Sequence, residues 1–285
     1  MILFRGLRGC TRIYLSKISQ ENLMKAIAFI GGGRITAALC AGLRLMSDRR
    51  EIVVYDRNPE KVRRMARESQ VRVAKDLDAA IESAEFVIVA VRPGSVAELL
   101  QEIGDDVKRP QTFVSLAAGV PLKNLRTWLP GVRWARAMPS PVCRVGRGLT
   151  ALCFERGVNA KHRVMVQELF ARVGQVVEVS ERKFDAFTAT YSSSHGYHAL
   201  AALAEAAEKA GLDRQTALMA SAHALADGIL YWHESGLKLS ELLHEAATPG
   251  GIAAATMSAM DRAGYRRAVE KGLGAGIRQA RRNAR

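Results

Sequence analysis

A run of apolar residues that ends in three glycines constrains the fold of this chain more than any other feature. The stretch "MKAIAFIGGGRITAAL" occupies residues 24–39. The apolar run suits a buried parallel strand, and Gly31 and Gly33 stand where that strand must turn tightly into a helix. Such a turn lets a pyrophosphate approach bare backbone, and the helix start supplies positive potential. The sequence predicts a dinucleotide-binding βα unit, with a glycine turn that binds nothing as the alternative.

Short apolar runs alternate with segments of helical period over the first part of the chain, which is typical of βαβ units. Strands are predicted at 26–30, 52–55, 86–91, 112–115, 132–135, 150–154 and 176–179, with a helix at 161–173. Beyond about residue 180 only helix-forming segments remain, at 184–210, 213–234, 239–247 and 250–282, the last with a break near Gly264. The predicted fold class is α/β, a Rossmann dinucleotide-binding domain over 24–180 followed by an all-α domain over 181–285.

Charge and cysteine content limit the classes of function. The chain has 42 Lys and Arg against 28 Asp and Glu, a net charge of +14, but the arginines are scattered and no aromatic residues are interleaved with them. This pattern favours solvated helix faces and affinity for small anions over nucleic-acid binding. No apolar run is long enough for a membrane span. The four cysteines show neither paired nor metal-ligand spacing, so we expect no disulfide, no metal and a cytoplasmic location.

The first 23 residues precede the predicted Rossmann domain. They carry Arg5, Arg8, Arg12 and Lys17 before the first acid, Glu21, a composition that superficially resembles a transit peptide. Because a Rossmann domain normally opens within a few residues of its first strand, we interpret residues 1–23 as a disordered tail or as the product of a start site assigned too early.

Residues at the end of the second predicted strand bear on the choice of coenzyme. Asp56 lies 25 residues beyond Gly31, near the interval at which an acid binds a ribose hydroxyl pair, which favours NAD(H). Arg57, Asn58 and Lys61 are equally suited to hold a ribose phosphate, which favours NADP(H). Asp56 is also a candidate cap for the helix that begins near residue 59. The sequence leaves these alternatives open.

Seven motifs resemble the pyrroline-5-carboxylate reductase family in order and spacing over residues 24 to about 280: "FIGGGRITAALCAGL", "AVRP", "VSLAAGV", "ARAMPSP", "RVGQVVEV", "FDAFTA" and "ATPGGIAAATMSAMDRAGYRRAV". The last is the most specific. The resemblance implies a Rossmann domain and a helical domain through which subunits interlock into homodimers or larger rings. It also implies hydride transfer from NADP(H) or NAD(H) to the C=N carbon of a cyclic imino acid, by default pyrroline-5-carboxylate, giving proline.

The resemblance also assigns roles to individual residues. The residues implied to bind the pyrophosphate are Gly31, Gly32, Gly33, Arg34 and Ile35. Those implied to line the coenzyme after the strand at 86–91 are Val91, Arg92 and Pro93. Those implied to lie beside the nicotinamide are Ala117, Ala118 and Gly119. The segment implied to bind the substrate carboxylate comprises Thr248, Pro249, Gly250, Gly251, Ile252 and Ala253. From the residues alone, this segment is a helix start with Thr248 as N-cap and Pro249 in the first position.

The chain departs from the family pattern at the implied active site. Tyr191 opens a segment in which only Ser193 and Tyr197 keep the family's residue, and Ala253 stands where the family has Thr. The other departures are His195, which replaces a proline of that segment, Ser140 and Pro141 in place of Asn and Thr, and Leu77 in place of Asn.

Because Ala253 replaces the family's threonine, another group must hydrogen-bond the imine nitrogen. The candidate catalytic residues are His195, Ser193 and Tyr197. Histidine titrates near neutral pH and suits an acid, although packing at a dimer interface is the alternative for His195. Two further hypotheses remain open: a reductase of a different imine, and a non-catalytic paralogue that binds dinucleotide.

Overall fold

A computed structural model describes residues 26–104, 107 and 111–283. The predicted extension over 1–23 lies outside these residues. The described chain divides into two compact units. One contains residues 26–191 together with 273–283, and the other contains residues 192–272. The first unit combines a sheet with helices, and the second is entirely helical.

An eight-stranded sheet forms the centre of the first unit, in the order β3-β2-β1-β4-β5-β6-β7-β8. Strands β1 to β6 are mutually parallel, β7 is antiparallel to β6, and β8 is parallel to β7. The order of β1 to β6 is that of the Rossmann fold. The strands are β1 Ala26–Ile30, β2 Ile52–Tyr55, β3 Arg72–Val73, β4 Ala84–Val89, β5 Thr112–Ser115, β6 Arg133–Met138, β7 Gly148–Phe154 and β8 Gly174–Glu178.

Helices connect the strands and then form the second unit. They are α1 Arg34–Leu45, α2 Pro59–Ser69, α3 Leu77–Glu82, α4 Val96–Ile103, α5 Leu122–Trp128, α6 Ala160–Ala171, α7 Glu181–Thr190, α8 Ser194–Lys209, α9 Arg214–Ser235, α10 Leu239–Ala246, α11 Ile252–Arg262 and α12 Tyr265–Arg282. Short 3-10 turns occur at Pro93–Ser95 and Pro141–Val145.

The core lies on both faces of the sheet because successive strand residues point to opposite sides. In β1, Ala28 and Ile30 pack with residues of α3, α4, α5 and α7, whereas Ile27 and Phe29 pack with residues of α1, α2 and α6. Every residue of β1 is buried, as expected for a parallel strand covered on both faces. The predicted α/β fold class is confirmed.

The seven predicted strands are present, and two differences are informative. Strand β3 was not predicted, because it has only two residues, both exposed. The single helix predicted at 184–210 is wrong: α7 ends at Thr190 and α8 begins at Ser194. Three polar residues, Tyr191 to Ser193, separate the two helices, and the Tyr191 side chain bonds to the sheet unit rather than continuing the helix.

The helical unit has very little interior of its own. Between residues 192 and 272 only Ala204, Ala217 and Ser221 are buried. Many large apolar side chains of this unit are exposed, among them Tyr197 at 71% and Ile252 at 88%. Isolated soluble units rarely expose so many apolar side chains, so these surfaces are suited to further burial in an assembly. None of the described helices combines the length and the apolar character that a membrane crossing requires.

Candidate active site

Four loops follow the carboxyl ends of neighbouring parallel strands and therefore meet at one edge of the sheet. They comprise residues 31–33 after β1, 90–93 after β4, 116–119 after β5 and 139–141 after β6. In open α/β sheets, ligands bind outside the carboxyl ends of the strands where the strand order reverses, here between β1 and β4. This edge contains the predicted coenzyme residues.

The glycine turn after β1 is shaped by backbone contacts that exclude side chains. Gly31 has φ of +114°, and a Cβ there would lie 2.7 Å from the carbonyl oxygen of Ala90. Its N–H donates to the carbonyl of Tyr55 at 2.7 Å, which ties the turn to β2. Gly33 differs, because nothing lies within 4 Å of the position that its Cβ would take. The turn is therefore packed beneath Gly31 and open above Gly33.

Helix α1 begins at this open side without a side-chain cap. Gly33 is its N-cap, no side chain accepts a hydrogen bond from the first turn, and the first turn contains no acidic residue. The amides of Arg34 and Ile35 belong to this turn. Uncapped amides at a helix start, beside space that a methyl group would fill, fit a pyrophosphate.

Thr36, at the third position of the glycine fingerprint, belongs to the turn as well. It is fully buried, and its hydroxyl donates to the carbonyl of Gly31 at 2.6 Å. The larger residue at this position is thus accommodated by an internal hydrogen bond, and the tight turn is retained.

Asp56 joins the end of β2 to the glycine turn. Its Oδ2 accepts from the Gly32 amide at 2.7 Å, and its Oδ1 accepts from the Asn58 amide at 2.8 Å. The N-cap of α2 is Asn58, whose side chain accepts from the Glu60 amide at 3.0 Å. The interpretation of Asp56 as the cap of α2 is therefore wrong, and its carboxylate lies beside the predicted dinucleotide turn instead.

The Arg57 side chain reaches helix α4. Its guanidinium donates to Glu102 at 2.6 Å and to Glu98 at 2.9 Å. Hydrogen bonds that Arg57 donates to Glu102 and Glu98 raise its pKa above the usual value. The remaining cation, Lys61, has its Nζ 3.8 Å from Asp56 Oδ1.

The loop after β5 is fixed from two sides. The Ser115 hydroxyl accepts from the Ala117 amide at 3.2 Å. Gly119 has φ of +81° and lies so close to the Ala280 backbone of α12 that any Cβ would overlap it. Beyond α12, Asn283 Nδ2 lies 3.5 Å from the Ala118 carbonyl. The predicted nicotinamide loop is thus held by its own strand and by the end of the last helix.

The predicted coenzyme residues after β4 form a short turn at the same edge. Arg92 is exposed, Val91 and Pro93 are half-buried, and the Arg92 carbonyl accepts from the Ser95 amide at 2.9 Å. This turn lies between the loops that follow β1 and β5, in agreement with the strand order.

Two of the departures from the family pattern contact each other. The hydroxyls of Ser140 and Tyr191 lie 3.0 Å apart, and the Leu149 amide donates to the Tyr191 hydroxyl at 2.8 Å. Because the phenol oxygen accepts from Leu149, its own proton is free to donate to Ser140. A large residue at 191 and a small one at 140 thus form a single hydrogen-bonded group that links α7, β7 and the turn after β6. Pro141, the adjacent departure, begins a 3-10 turn.

Helix α7, which carries Tyr191 at its C-terminal end, is held to β6 by a buried arginine. The Arg136 side chain is 2% exposed and lies 3.6 Å from Glu181 and 3.5 Å from Asp185. Its guanidinium also stacks over the Phe184 ring at 4.4 Å. Desolvation lowers the pKa of Arg136, and the carboxylates of Asp185 and Glu181 oppose this shift.

Leu77, the departure that precedes β4, is part of the core. It is the first residue of α3, whose N-cap is Asp76, and it is 5% exposed. The departure at this position contributes to packing.

The three candidate catalytic residues lie together at the start of α8. Ser193 is its N-cap, the His195 amide donates to the Ser192 carbonyl at 3.0 Å, and the Tyr197 amide donates to the Ser193 carbonyl at 3.2 Å. All three candidates are exposed. Their catalytic role stays a prediction.

The segment 248–251 forms a turn ahead of α11. The Gly251 amide donates to the Thr248 carbonyl at 2.9 Å, and Gly250 has φ of +79°, which with Pro249 before it is a type II turn. The Thr248 hydroxyl donates to the Glu245 carbonyl at 3.0 Å. The interpretation of Thr248 as N-cap and Pro249 as first helical residue is therefore wrong.

Helix α11 begins three positions later than that interpretation implied. Its N-cap is Gly251 and its first residues are Ile252 and Ala253, with no side-chain cap. These uncapped amides fit an anion in the same way as those of α1. The binding of a substrate carboxylate here stays a prediction.

The three cysteines in the described part of the chain are free and buried. Desolvation raises the pKa of the Cys40 thiol to about 12 and that of Cys143 and Cys153 to about 11. Thiols with such pKa values are poor nucleophiles at neutral pH. Among the described residues, no group of three or more His, Cys, Asp or Glu side chains is arranged to hold a metal ion.

Comparison with known proteins shows the family. Over 274 aligned residues, the chain is 33% identical to the pyrroline-5-carboxylate reductase of Mycobacterium tuberculosis, covering 87% of this chain and 92% of that protein. The chain belongs to the pyrroline-5-carboxylate reductase family. The reductase of Synechocystis is 28% identical over 260 residues, covering 89% of this chain and 96% of that protein.

Family matches and solved structures agree with this membership. Residues 26–119 match the family described as NADP oxidoreductase coenzyme F420-dependent, and residues 181–283 match pyrroline-5-carboxylate reductase dimerisation. The 1-pyrroline-5-carboxylate reductase structure from Streptococcus pyogenes has a TM-score of 0.80 at 24% identity, covering 91% of this chain and 99% of that one. A Plasmodium falciparum pyrroline carboxylate reductase structure with NADP bound has a TM-score of 0.81 at 18% identity, covering 92% and 98%.

Two features of the candidate site in this family member were missed by sequence reasoning. Glu98 and Glu102 lie more than 40 residues from Arg57, so no local pattern relates them. The contact between Gly119 and Ala280 spans most of the chain. Only the glycine itself was a signal, since a glycine after a buried strand can mark a close approach of backbone.

Proposed function

We propose that this chain is an NAD(P)H-dependent reductase that transfers hydride to the C=N bond of a cyclic imino acid, converting pyrroline-5-carboxylate to proline. The observation that carries the proposal is the turn at Gly31 to Gly33, packed on one side and open at the uncapped start of α1 on the other. This arrangement occurs at the carboxyl edge of a Rossmann sheet in a chain of the pyrroline-5-carboxylate reductase family.

The coenzyme, when bound, supplies the hydride, and the chain supplies binding and orientation. The amides of Arg34 and Ile35 bind the pyrophosphate, and the loop that contains Ala117 and Ala118 supports the nicotinamide. NADP(H) is supported by the NADP-bound Plasmodium structure, and NAD(H) by the acid at the end of β2. Holding both reactants in place contributes more to such a reaction than any single acid.

The helical unit supplies the substrate groups in this proposal. The amides at the start of α11 bind the substrate carboxylate, and Ser193, His195 and Tyr197 hydrogen-bond the imine. With Ala253 in place of the family's threonine, proton donation falls to His195.

A related imine is the second candidate substrate, and the hydrogen-bonded pair of Tyr191 and Ser140 favours it. A phenol ring at position 191 and a serine at position 140 change the volume and polarity beside the turn after β6. In this second candidate function the substrate lies beside these two side chains and carries a ring of different size or an additional substituent.

Turnover distinguishes the candidates. The purified chain is mixed with pyrroline-5-carboxylate and NADPH or NADH, and loss of the reduced coenzyme is followed by absorbance, with coenzyme alone as control. We expect imine-dependent oxidation and formation of proline. Turnover only with another cyclic imine supports the second candidate, and coenzyme binding without turnover of any imine indicates a non-catalytic paralogue.

We also propose that the chain works as a homodimer or larger homo-oligomer in the cytoplasm. The match to the dimerisation family and the exposed apolar side chains of the helical unit support self-association. Light scattering should give a mass at least twice the 31.1 kDa of one chain. A monomer at micromolar concentration would contradict this part of the proposal. The absence of a nucleic-acid partner stays a prediction from the scattered charges.

A further inference from the structure

The residues at the end of β2 decide which of the two coenzymes fits, an inference that rests on the proposed function. NADP(H) differs from NAD(H) by one phosphate on the adenosine ribose, in place of a 2′-hydroxyl. In Rossmann folds an acid at the end of β2 hydrogen-bonds the ribose hydroxyl, whereas a nearby arginine accommodates the phosphate. This chain has both residue types, Asp56 and Arg57, in sequence.

Asp56 is placed to accept hydrogen bonds from a ribose. Its side chain is 15% exposed, and its Oδ2 lies 2.7 Å from the Gly32 amide, inside the turn that would hold the dinucleotide. A carboxylate has about four acceptor positions. The amides of Gly32 and Asn58 use two of them. The remaining positions suit ribose hydroxyls, and the negative charge opposes a phosphate.

The three residues that the sequence offers for a 2′-phosphate each have a partner within the protein. The Arg57 guanidinium is bound by two carboxylates of α4, Glu98 at 2.9 Å and Glu102 at 2.6 Å. The Asn58 side chain caps α2 through its oxygen. The Lys61 ammonium is 3.8 Å from Asp56 and is half-exposed.

The ion pairs at the end of β2 contain more carboxylates than cations, which opposes a phosphate. Three carboxylates, those of Asp56, Glu98 and Glu102, face the cations Arg57 and Lys61, so negative groups outnumber positive ones. Arg57 can reach a phosphate only by giving up charge-assisted hydrogen bonds to Glu98 and Glu102, which are the stronger class of hydrogen bond.

We propose that this chain binds NADH more tightly than NADPH, and that Glu98 and Glu102 enforce the preference by holding Arg57 away from the ribose. Both coenzymes use the same glycine turn, so NADPH still binds. Asp56 selects for the hydroxyl, and the two glutamates withhold the arginine that would select for the phosphate.

Direct binding tests this, with dissociation constants measured by the fluorescence of NADH and of NADPH on titration with the full chain. For the unmodified chain we expect the dissociation constant for NADH to be about tenfold or more below that for NADPH. A tenfold difference corresponds to about 1.4 kcal/mol of binding free energy. In the double variant Glu98→Gln, Glu102→Gln, we expect NADPH to bind about tenfold more tightly, because two repelling charges are removed and Arg57 is released. NADH affinity should change little.

A matched control is Glu51→Gln, which removes another exposed Glu–Arg pair, that with Arg72, at the opposite end of β2. It should leave the ratio of the two constants unchanged, and thermal unfolding should confirm that all variants fold. Equal or tighter binding of NADPH by the unmodified chain would overturn the preference. An unchanged ratio in the double variant would overturn the role of the glutamates. If neither coenzyme binds, the proposed function itself is wrong.

Discussion

Replacement of two glycines of the same turn by alanine should affect different properties, stability at one position and coenzyme binding at the other. At Gly31 the backbone has φ of +114°, and an added Cβ would lie 2.7 Å from the Ala90 oxygen and 2.9 Å from its carbon. At Gly33 the backbone is extended, with φ of −78°, and no atom lies within 4 Å of an added Cβ. Gly31→Ala should therefore weaken folding, and Gly33→Ala should weaken coenzyme binding alone.

The magnitudes follow from the backbone and the contacts. For Gly31→Ala, the unfavourable φ costs about 1 to 3 kcal/mol, and overlap with a rigid backbone costs a similar amount. A loss of about 4 kcal/mol lowers the melting temperature of a chain of this size by on the order of 10 °C. For Gly33→Ala, the weaker N-cap is offset by the reduced freedom of the unfolded chain, about 0.4 to 1 kcal/mol, so the melting temperature should barely move.

The assay measures both properties on each protein: the melting temperature by circular dichroism, and NADH binding by fluorescence titration. We expect Gly33→Ala to lose at least about tenfold in affinity, because its methyl group occupies the space assigned to the pyrophosphate. If Gly33→Ala binds NADH as the unmodified chain does, the coenzyme does not use this turn. If Gly31→Ala melts at an unchanged temperature, the added Cβ does not meet the Ala90 carbonyl and the reasoning is refuted.

Three further predictions concern single side chains. Tyr191→Phe leaves the Leu149 amide without its acceptor, so the free energy of unfolding should fall by about 1 kcal/mol or more and the KM for the imine should rise. Burial raises the pKa of Cys40 from 9.0 to about 12. The stability that this buried thiol contributes is therefore complete below pH 9.0 and is lost as the pH rises toward 12. Above pH 9.0, the urea midpoint of Cys40→Ala should decline less steeply than that of the unmodified chain. His195→Ala should lower turnover and alter its pH profile, and an unchanged profile would assign His195 to packing.

Seven of the eight strands were predictable because each one has an apolar run that is visible in the local sequence. The apolar runs at Ile52–Tyr55 and Thr112–Ser115 are short and bounded by polar residues, and the structure confirms them as β2 and β5. Strand β3 could not be predicted, since its two residues are exposed and carry no apolar pattern. Its pairing with β2 is determined by neighbouring elements.

The glycine turn was predictable for the same reason, but its surroundings were not. Glycine at a strand end indicates a tight turn, whereas the partner of Arg57 depends on how far α4 extends along the sheet. The sequence left the coenzyme undecided because it shows only which side chains are adjacent along the chain, and Glu98 and Glu102 are far from Arg57 in sequence. The structure shows that the Arg57 cation is already bound.

The contact between Gly119 and Ala280 has a practical consequence for anyone who wishes to isolate the sheet unit. Because residues 273–283 belong to that unit, a fragment ending at Tyr191 would lack the helix that covers Gly119. The loop at Ala118 and Gly119 would then lose its cover, and the exposed main chain would promote aggregation during expression. A shortened gene should therefore keep the final segment, joined by a flexible linker across the omitted helices.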